Sequence, residues 1–273
     1  MNLKDIKKPL VSEFRYPWPF PRQESFFFKS RTRLVTTGVF IWSKIFFSKL
    51  MTIRGGVNKV HVNGKEKFLK CLEDRSRPLI TMSNHRSTID DPLMWAAMLT
   101  YPEFRRNISR FRFVLAASNI CFTNPTFTVF FSSGRCVPCV RGEGVFQQGV
   151  DFCIEKLNEN EWVHVFPEGR VETKPIRHKW GIGRLVDQCR VPPIVIPIWV
   201  KGMDKICPNK KPYRVYGGHT VKIIVGDPID MSLYIKTLPP SLEEIGRRKL
   251  ITDFLQDRLL STGNAQLGIE PDF

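Results

Sequence analysis

Short apolar runs alternate with helical patterns from residue 78 onward. This alternation is typical of βαβ units that build a mainly parallel sheet. The predicted strands are Leu79–Met82, Phe111–Ala116, Cys136–Val140, Trp162–Phe166 and Ile194–Val200. The predicted helices are Pro92–Leu99, with Asp91 as N-cap, and Phe146–Leu157. We therefore expect an α/β fold, a single domain with a mainly parallel central sheet flanked by helices.

Two local patterns predict the structure of the last part of the chain. Tyr213–Tyr216 and Val221–Val225 flank two consecutive glycines and are typical of a hairpin. Ser241 and Glu244 have the spacing of a capping box, in which each side chain bonds the other residue's backbone. A last helix is expected to follow this box.

The amino-terminal part has a different pattern. Residues 1–33 contain the proline-broken run YPWPFPR, which disfavours regular structure. The stretch Leu34–Phe47 is mostly apolar with Lys44 as its only charge, and it is shorter than the roughly 20 residues that span a bilayer as a helix. It is either an interfacial membrane helix or a buried core helix, and its aromatic residues favour the first. We predict a membrane-associating segment over 1–55 and the functional domain over 56–273.

Charge and cysteine usage narrow the class of partner. The chain has 42 basic and 26 acidic residues, a formal charge of +16, which favours an anionic partner. Nucleic acid and anionic lipid both meet that requirement, but phenylalanines beside lysine and arginine favour a membrane surface over nucleic acid. The seven cysteines lack a disulfide or zinc spacing, and the pair Cys136 and Cys139 lies in a predicted strand. We expect no metal site.

The stretch SNHRSTIDDP, residues 83–92, carries the first candidate chemistry. It lies where a predicted strand ends and a helix begins, which is where open α/β sheets bind ligands. A carboxylate at Asp90 can hold one ring nitrogen of His85, so that the other acts as a base on a substrate hydroxyl. The same spacing also occurs when an aspartate caps a helix beside a surface histidine, or when two residues belong to a metal site.

The stretch FPEGR, residues 166–170, also follows a predicted strand. Backbone N–H groups of such a glycine turn, together with a nearby arginine, can bind a phosphate. Gly134 and Arg141 bracket another strand and add a second cation. An ordinary turn and solvated charges are the alternative interpretation.

In this order, NHRSTID, GRCVPCVR, FPEGR and VPPIVIPIW resemble the four sequence blocks of the glycerolipid acyltransferase family. The resemblance implies a CoA-independent transacylase that needs no cofactor and moves acyl chains from phosphatidylcholine-type phospholipids to monolysocardiolipin, forming cardiolipin. It also implies that the protein is located on the mitochondrial inner and outer membranes and faces the intermembrane space. By the same resemblance His85 and Asp90 are catalytic, and the substrate-binding residues are Arg141, Glu168, Gly169 and Arg170.

The chain departs from the most similar family members at three positions. Arg86 replaces a glutamine, Arg170 a lysine and Val200 a histidine. Two alternatives to the transacylase remain: an acyl-CoA-dependent lysophospholipid acyltransferase, and a non-catalytic basic membrane-binding protein in which His85 is structural.

Overall fold

The computed structural model describes residues 17–48 and 58–264. The strands are β1 Lys59–Asn63, β2 Leu79–Ser83, β3 Phe113–Ala117, β4 Cys136–Cys139, β5 Trp162–Val165, β6 Ile194–Lys201, β7 Thr220–Val225 and β8 Ile229–Asp230. The helices are α1 Phe26–Ser48, α2 Lys65–Glu73, α3 Asp90–Met98, α4 Tyr101–Asn107, α5 Ser118–Cys121, α6 Pro125–Ser133, α7 Gln148–Asn158, α8 Gly181–Asp187, α9 Met203–Ile206, α10 Met231–Ile235 and α11 Glu244–Asn264.

The strands form one eight-stranded sheet in the order β1-β7-β6-β2-β5-β3-β4, with β8 paired to β6. Strands β6, β2, β5, β3 and β4 are parallel to one another, whereas β6 pairs antiparallel with β7 and β8. Successive side chains of a strand point to opposite faces, so Leu79 packs in one hydrophobic cluster and Ile80 in another. The predicted mixed α/β domain with a mainly parallel sheet flanked by helices is confirmed.

The five predicted strands are all present, with ends that move by one or two residues. Two predictions near the end of the chain are wrong. Residues 213–216 form no strand, and β7 pairs instead with β1, a strand that the hydrophobic pattern did not indicate. Glu244 is the first residue of α11 rather than its third, and its carboxylate bonds Arg248 and Gln188, so the capping box does not form.

The start of α3 also differs from the prediction. Asp91 has an extended conformation, as an N-cap residue would. Its carboxylate accepts hydrogen bonds from the ring of Trp95 and the guanidinium of Arg112. The side chain therefore forms a buried ion pair instead of a cap. The second predicted helix begins two residues late, at Gln148.

Helix α1 begins at Phe26, inside the stretch that was expected to be irregular, so that expectation is wrong from residue 26. Its inner side packs on the domain, and the ring of Phe40 stacks on Phe104 at 4.0 Å. Its outer side exposes apolar residues, among them Leu34 and Trp42. In the described part of the chain, no helix combines the length and apolarity needed to cross a bilayer. The boundary predicted at residue 55 lies outside the described residues and stays a prediction.

Candidate active site

The two predicted motifs meet at one edge of the sheet. Strands β2 and β5 are parallel neighbours, so the residues that follow their carboxyl ends lie side by side. The backbone N–H of His85 donates to Oε2 of Glu168 at 3.0 Å. The backbone N–H of Glu172 donates to the carbonyl oxygen of His85 at 2.9 Å. The segment from Glu168 to Glu172 therefore binds both the N–H and the carbonyl group of the histidine main chain.

His85 and Asp90 form the predicted pair. The distance from His85 Nδ1 to Asp90 Oδ2 is 2.9 Å, and the same oxygen accepts the backbone N–H groups of Arg86 at 2.7 Å and Ser87 at 2.9 Å. In a neutral His85 whose Nδ1–H donates to this carboxylate, the lone pair of the ring lies on Nε2. Asp90 is fully buried, whereas the His85 side chain is 18% exposed. This geometry suits a base that acts on an incoming hydroxyl group.

The ring of His85 is oriented by a second contact. It stacks on Phe166 with 4.0 Å between ring centroids and 21° between the planes. The ring of Phe166 also packs at a right angle to the ring of His164, and burial lowers the pKa of His164 to about 3. His164 is therefore neutral at physiological pH and packs behind the site without adding charge.

Glu168 contacts the turn that carries His85. Its side chain is 2% exposed, and Nη1 of Arg86 lies 3.2 and 3.1 Å from its two oxygens. Burial raises the pKa of Glu168, and the hydrogen bond from His85 and the charge of Arg86 oppose that rise. Arg86 also donates to the carbonyl oxygen of Glu172 at 2.6 Å. The charge added by this arginine is thus neutralised inside the protein.

The predicted phosphate-binding residues are more dispersed. Gly169 has a φ of +73°, a conformation that favours glycine, directly after Glu168. Arg170 is 63% exposed and paired with Glu172 at 2.5 Å. Arg141 is exposed and follows β4, which β3 and β5 separate from β2. All lie at the same sheet edge, but only Glu168 contacts the His85 turn directly.

Lys179 is a cation near the site that the sequence analysis did not single out. Its backbone N–H donates to the carbonyl oxygen of Pro167 at 2.7 Å, so the segment after FPEGR folds back onto the turn. A Cβ built on Gly169 would lie 3.4 Å from Cγ of Lys179. The side chain is exposed, and no carboxylate within the described ranges pairs with it. The lysine chain therefore packs beside the turn at Gly169.

Val200, which the sequence resemblance predicts to replace a histidine, is buried. Its backbone N–H and carbonyl bond the side chain of Asn84 in both directions, each at 2.7 Å. The main chain of Val200 therefore ties β6 to the start of the turn that carries His85.

The cysteine pair lies in strand β4, as predicted, and both residues are partly buried. Burial raises the pKa of the Cys136 thiol to about 12 and that of Cys139 to about 11, so both are protonated at neutral pH. Over residues 17–48 and 58–264, no three His, Cys, Asp or Glu side chains are grouped as a metal would require.

Comparison with known proteins identifies the family. The family model named Acyltransferase matches residues 59–201, which include β2, the His85 turn and the FPEGR turn. The chain belongs to the acyltransferase family. Tafazzin of Drosophila melanogaster is 36% identical over 260 residues, which are 93% of this chain and 66% of the fly protein. The matched part is thus slightly less than two thirds of that relative.

Two further proteins resemble this acyltransferase. N-acylphosphatidylethanolamine synthase of Arabidopsis thaliana is 35% identical over 207 residues, 69% of this chain and 72% of the plant protein. The crystal structure of the 1-acyl-sn-glycerophosphate acyltransferase PlsC from Thermotoga maritima superposes with a TM-score of 0.54 at 18% identity, covering 90% of this chain and 89% of that one. The structural likeness supports the fold.

The contacts of Glu168 predict a positioning effect on catalysis in this acyltransferase. Replacing Glu168 with alanine is expected to lower kcat by roughly 10- to 100-fold, because a small displacement of His85 disrupts the reacting geometry. KM should change little. Steady-state kinetics of Glu168→Ala test this, with Glu155→Ala as control, because Glu155 is an exposed residue of α7. A raised KM with unchanged kcat would instead favour the substrate-binding role predicted from the sequence.

Proposed function

We propose that the chain is a phospholipid–lysophospholipid transacylase that acts without CoA. In this proposal, phosphatidylcholine-type phospholipids donate acyl chains and monolysocardiolipin accepts them. The observation that carries it is the hydrogen bond between His85 and the buried carboxylate of Asp90. The pair lies where the parallel strands end, which is where open α/β sheets bind ligands. Family membership supports acyl transfer, and similarity to tafazzin supports the phospholipid substrates and the mitochondrial membranes facing the intermembrane space.

The proposed reaction exchanges one ester for another. Nε2 of His85 takes the proton from the free hydroxyl of the lysophospholipid as that oxygen attacks the ester carbonyl carbon of the donor. The tetrahedral intermediate collapses by breaking the bond to the donor's glycerol oxygen. The imidazolium returns its proton to this oxygen and releases a new lysophospholipid. Asp90 stabilises the positive charge of the imidazolium in between.

Headgroup binding is assigned to the turn beside the histidine. Backbone N–H groups near Gly169 and the side chains of Arg170 and Lys179 offer donors and positive charge for a phosphate. Arg141 adds charge further along the same edge. Glu168 acts through the His85 turn in this account.

Lys179→Met tests the headgroup assignment. Methionine keeps an unbranched chain against Gly169 but removes the charge, so KM for monolysocardiolipin should rise about three- to tenfold while kcat is nearly unchanged. Lys179→Arg should restore most of the affinity. Lys174→Met, an exposed change in the same segment, is the control. Equal effects of the two methionine variants would show that only the overall charge matters.

A second acceptor class follows from the plant relative. The name N-acylphosphatidylethanolamine synthase denotes transfer to an amine nitrogen. The same base could deprotonate an ammonium-bearing headgroup before attack on the acyl ester. Phosphatidylethanolamine is therefore the acceptor to compare with monolysocardiolipin.

Purified protein on vesicles tests the proposed function. The vesicles contain phosphatidylcholine with a labelled acyl chain and either monolysocardiolipin or phosphatidylethanolamine, with and without added acyl-CoA. The proposal predicts labelled cardiolipin without acyl-CoA. A requirement for acyl-CoA would identify the acyl-CoA-dependent enzyme, and label only in phosphatidylethanolamine would identify the amine acceptor. Absence of transfer under every condition would favour the non-catalytic membrane-binding protein.

A further inference from the structure

A long part of the chain carries no charge although it reaches the surface. Residues 113–134 contain no Asp, Glu, Lys or Arg, whereas 25% of the whole chain is charged. The first five residues form the inner strand β3, but the following helices α5 and α6 lie on the surface. An uncharged surface segment of this length indicates a partner that is itself apolar.

Helix α6 has its polar and apolar sides reversed relative to a helix on a water-exposed surface. Its buried residues are Thr128, Ser132 and Ser133. Its exposed side carries Phe127 and Phe130, each 47% exposed. The inner hydroxyl groups bond carbonyl oxygens of the same helix or of its N-cap residue Asn124, so they need no water. A helix with apolar residues outward and hydroxyls inward suits a lipid environment.

Helix α1 continues this surface. The hydroxyl of Thr36 in α1 donates to the carbonyl oxygen of Ser133 at the end of α6, at 3.3 Å. The inner side of α1 also buries Thr32 and Ser43, while Trp42 on the outer side is exposed. Ser and Thr at a helix contact with apolar residues outside are typical of helices packed within lipid.

The uncharged segment also lies at the edge of the sheet that carries the active site. Helix α5 follows β3, which is parallel to β5, so it begins at the edge where His85 and Glu168 lie. Exposed Ile120 in α5 adds an apolar residue there. Arg141 is close enough to Cys121 in α5 for its charge to lower a thiol pKa that burial raises. A cation therefore borders the apolar surface, as anionic lipid headgroups require.

From this arrangement we infer that α5 and α6 form a second lipid-inserting element, which enters an anionic bilayer beside α1 and opens the His85 edge toward the lipid. The inference rests on the proposed function in one respect, namely that His85 acts on lipid substrates. It names a membrane contact within the catalytic domain, beyond the amino-terminal segment. Phe127 and Phe130 are its expected insertion points.

Vesicle binding of a double variant tests the inference. Phe127→Ser with Phe130→Ser should bind vesicles of phosphatidylcholine and cardiolipin about tenfold more weakly than the unchanged protein in co-sedimentation. The double change to leucine should bind nearly as well as the unchanged protein. Leu233→Ser is the matched control, because Leu233 is 65% exposed in α10, at the opposite edge of the sheet. Thermal unfolding should show that all variants remain folded.

Each outcome decides between a lipid surface and other occupants. Unchanged vesicle binding by the serine double variant would overturn the inference. A dimer of the unchanged protein that separates in this variant would also overturn it, because the surface would then join two copies. Binding is measured without turnover, so loss of binding supports the inference even if the acyl-transfer assay fails. On substrate dispersed in detergent, the serine double variant should keep the activity of the unchanged protein.

Discussion

Replacing His85 with alanine is expected to reduce acyl transfer by about 10²- to 10⁴-fold, the usual contribution of a positioned base. The variant loses Nε2, which is the acceptor for the substrate proton in the proposed reaction. The backbone contacts of residue 85 with Glu168 and Glu172 do not involve the side chain, so the turn should remain in place. Initial rates of acyl transfer on vesicles measure the effect.

His61→Ala is the control for this loss. His61 is an exposed residue of β1, so its replacement should leave the rate unchanged. Circular dichroism and vesicle binding of His85→Ala should match the unchanged protein. A rate within threefold of the unchanged protein, about 0.7 kcal/mol of barrier, would exclude His85 as the base.

Asp91→Ala is expected to destabilise the fold by about 3 to 5 kcal/mol, the usual cost of removing one partner of a buried ion pair. Arg112 is 3% exposed and pairs with both oxygens of Asp91. Without the aspartate, its charge stays buried and the ring N–H of Trp95 loses its acceptor. Urea unfolding followed by fluorescence measures the loss.

Two further variants test whether the loss in Asp91→Ala comes from the unpaired buried charge. The double change Asp91→Leu with Arg112→Met should be less destabilised than Asp91→Ala, because no charge remains buried. Asp227→Ala, which breaks a surface pair with Lys67, should change stability by less than about 0.5 kcal/mol. If Asp91→Ala were as mild as the surface change, the pair would not stabilise the fold.

The stability that the Asp91–Arg112 pair contributes should decrease as the pH falls. Burial alone would raise the pKa of the Asp91 carboxyl, but the charge of Arg112 holds it below 3.8. A carboxyl with a lowered pKa in the folded state contributes stability above its unfolded pKa and loses it as the pH falls. The difference in stability between the unchanged protein and Asp91→Ala should therefore narrow below about pH 4.

The sequence predicted the parts of the fold whose pattern is local and strong. The five parallel strands β6, β2, β5, β3 and β4 are mostly apolar runs because helices cover both faces of the sheet, and all were found within two residues of their bounds. Strand β1 was missed because it lies at the sheet edge and its side chains are half exposed, so it is not a continuous apolar run. The predicted hairpin was wrong because β7 pairs with β1 instead of residues 213–216. The sequence of a strand does not indicate which distant strand it pairs with.

The active site was predictable where its residues are close in sequence. The spacing of His85 and Asp90 indicated their contact, which the 2.9 Å distance matches. The link from Glu168 to this turn was not indicated, because it depends on β2 and β5 being neighbours although they lie far apart in the chain. Lys179 was missed for a similar reason, since only the return of its segment onto Pro167 places it at Gly169.

Transfer of a labelled acyl chain from phosphatidylcholine to monolysocardiolipin without CoA tests the central claim most directly. Purified protein and His85→Ala would be compared on the same vesicles, and labelled cardiolipin and lysophosphatidylcholine would be measured together. The account predicts that the unchanged protein forms the two products in equal amounts and that both nearly vanish in the variant. Equal rates for the two proteins, or products that appear only with acyl-CoA, would contradict it.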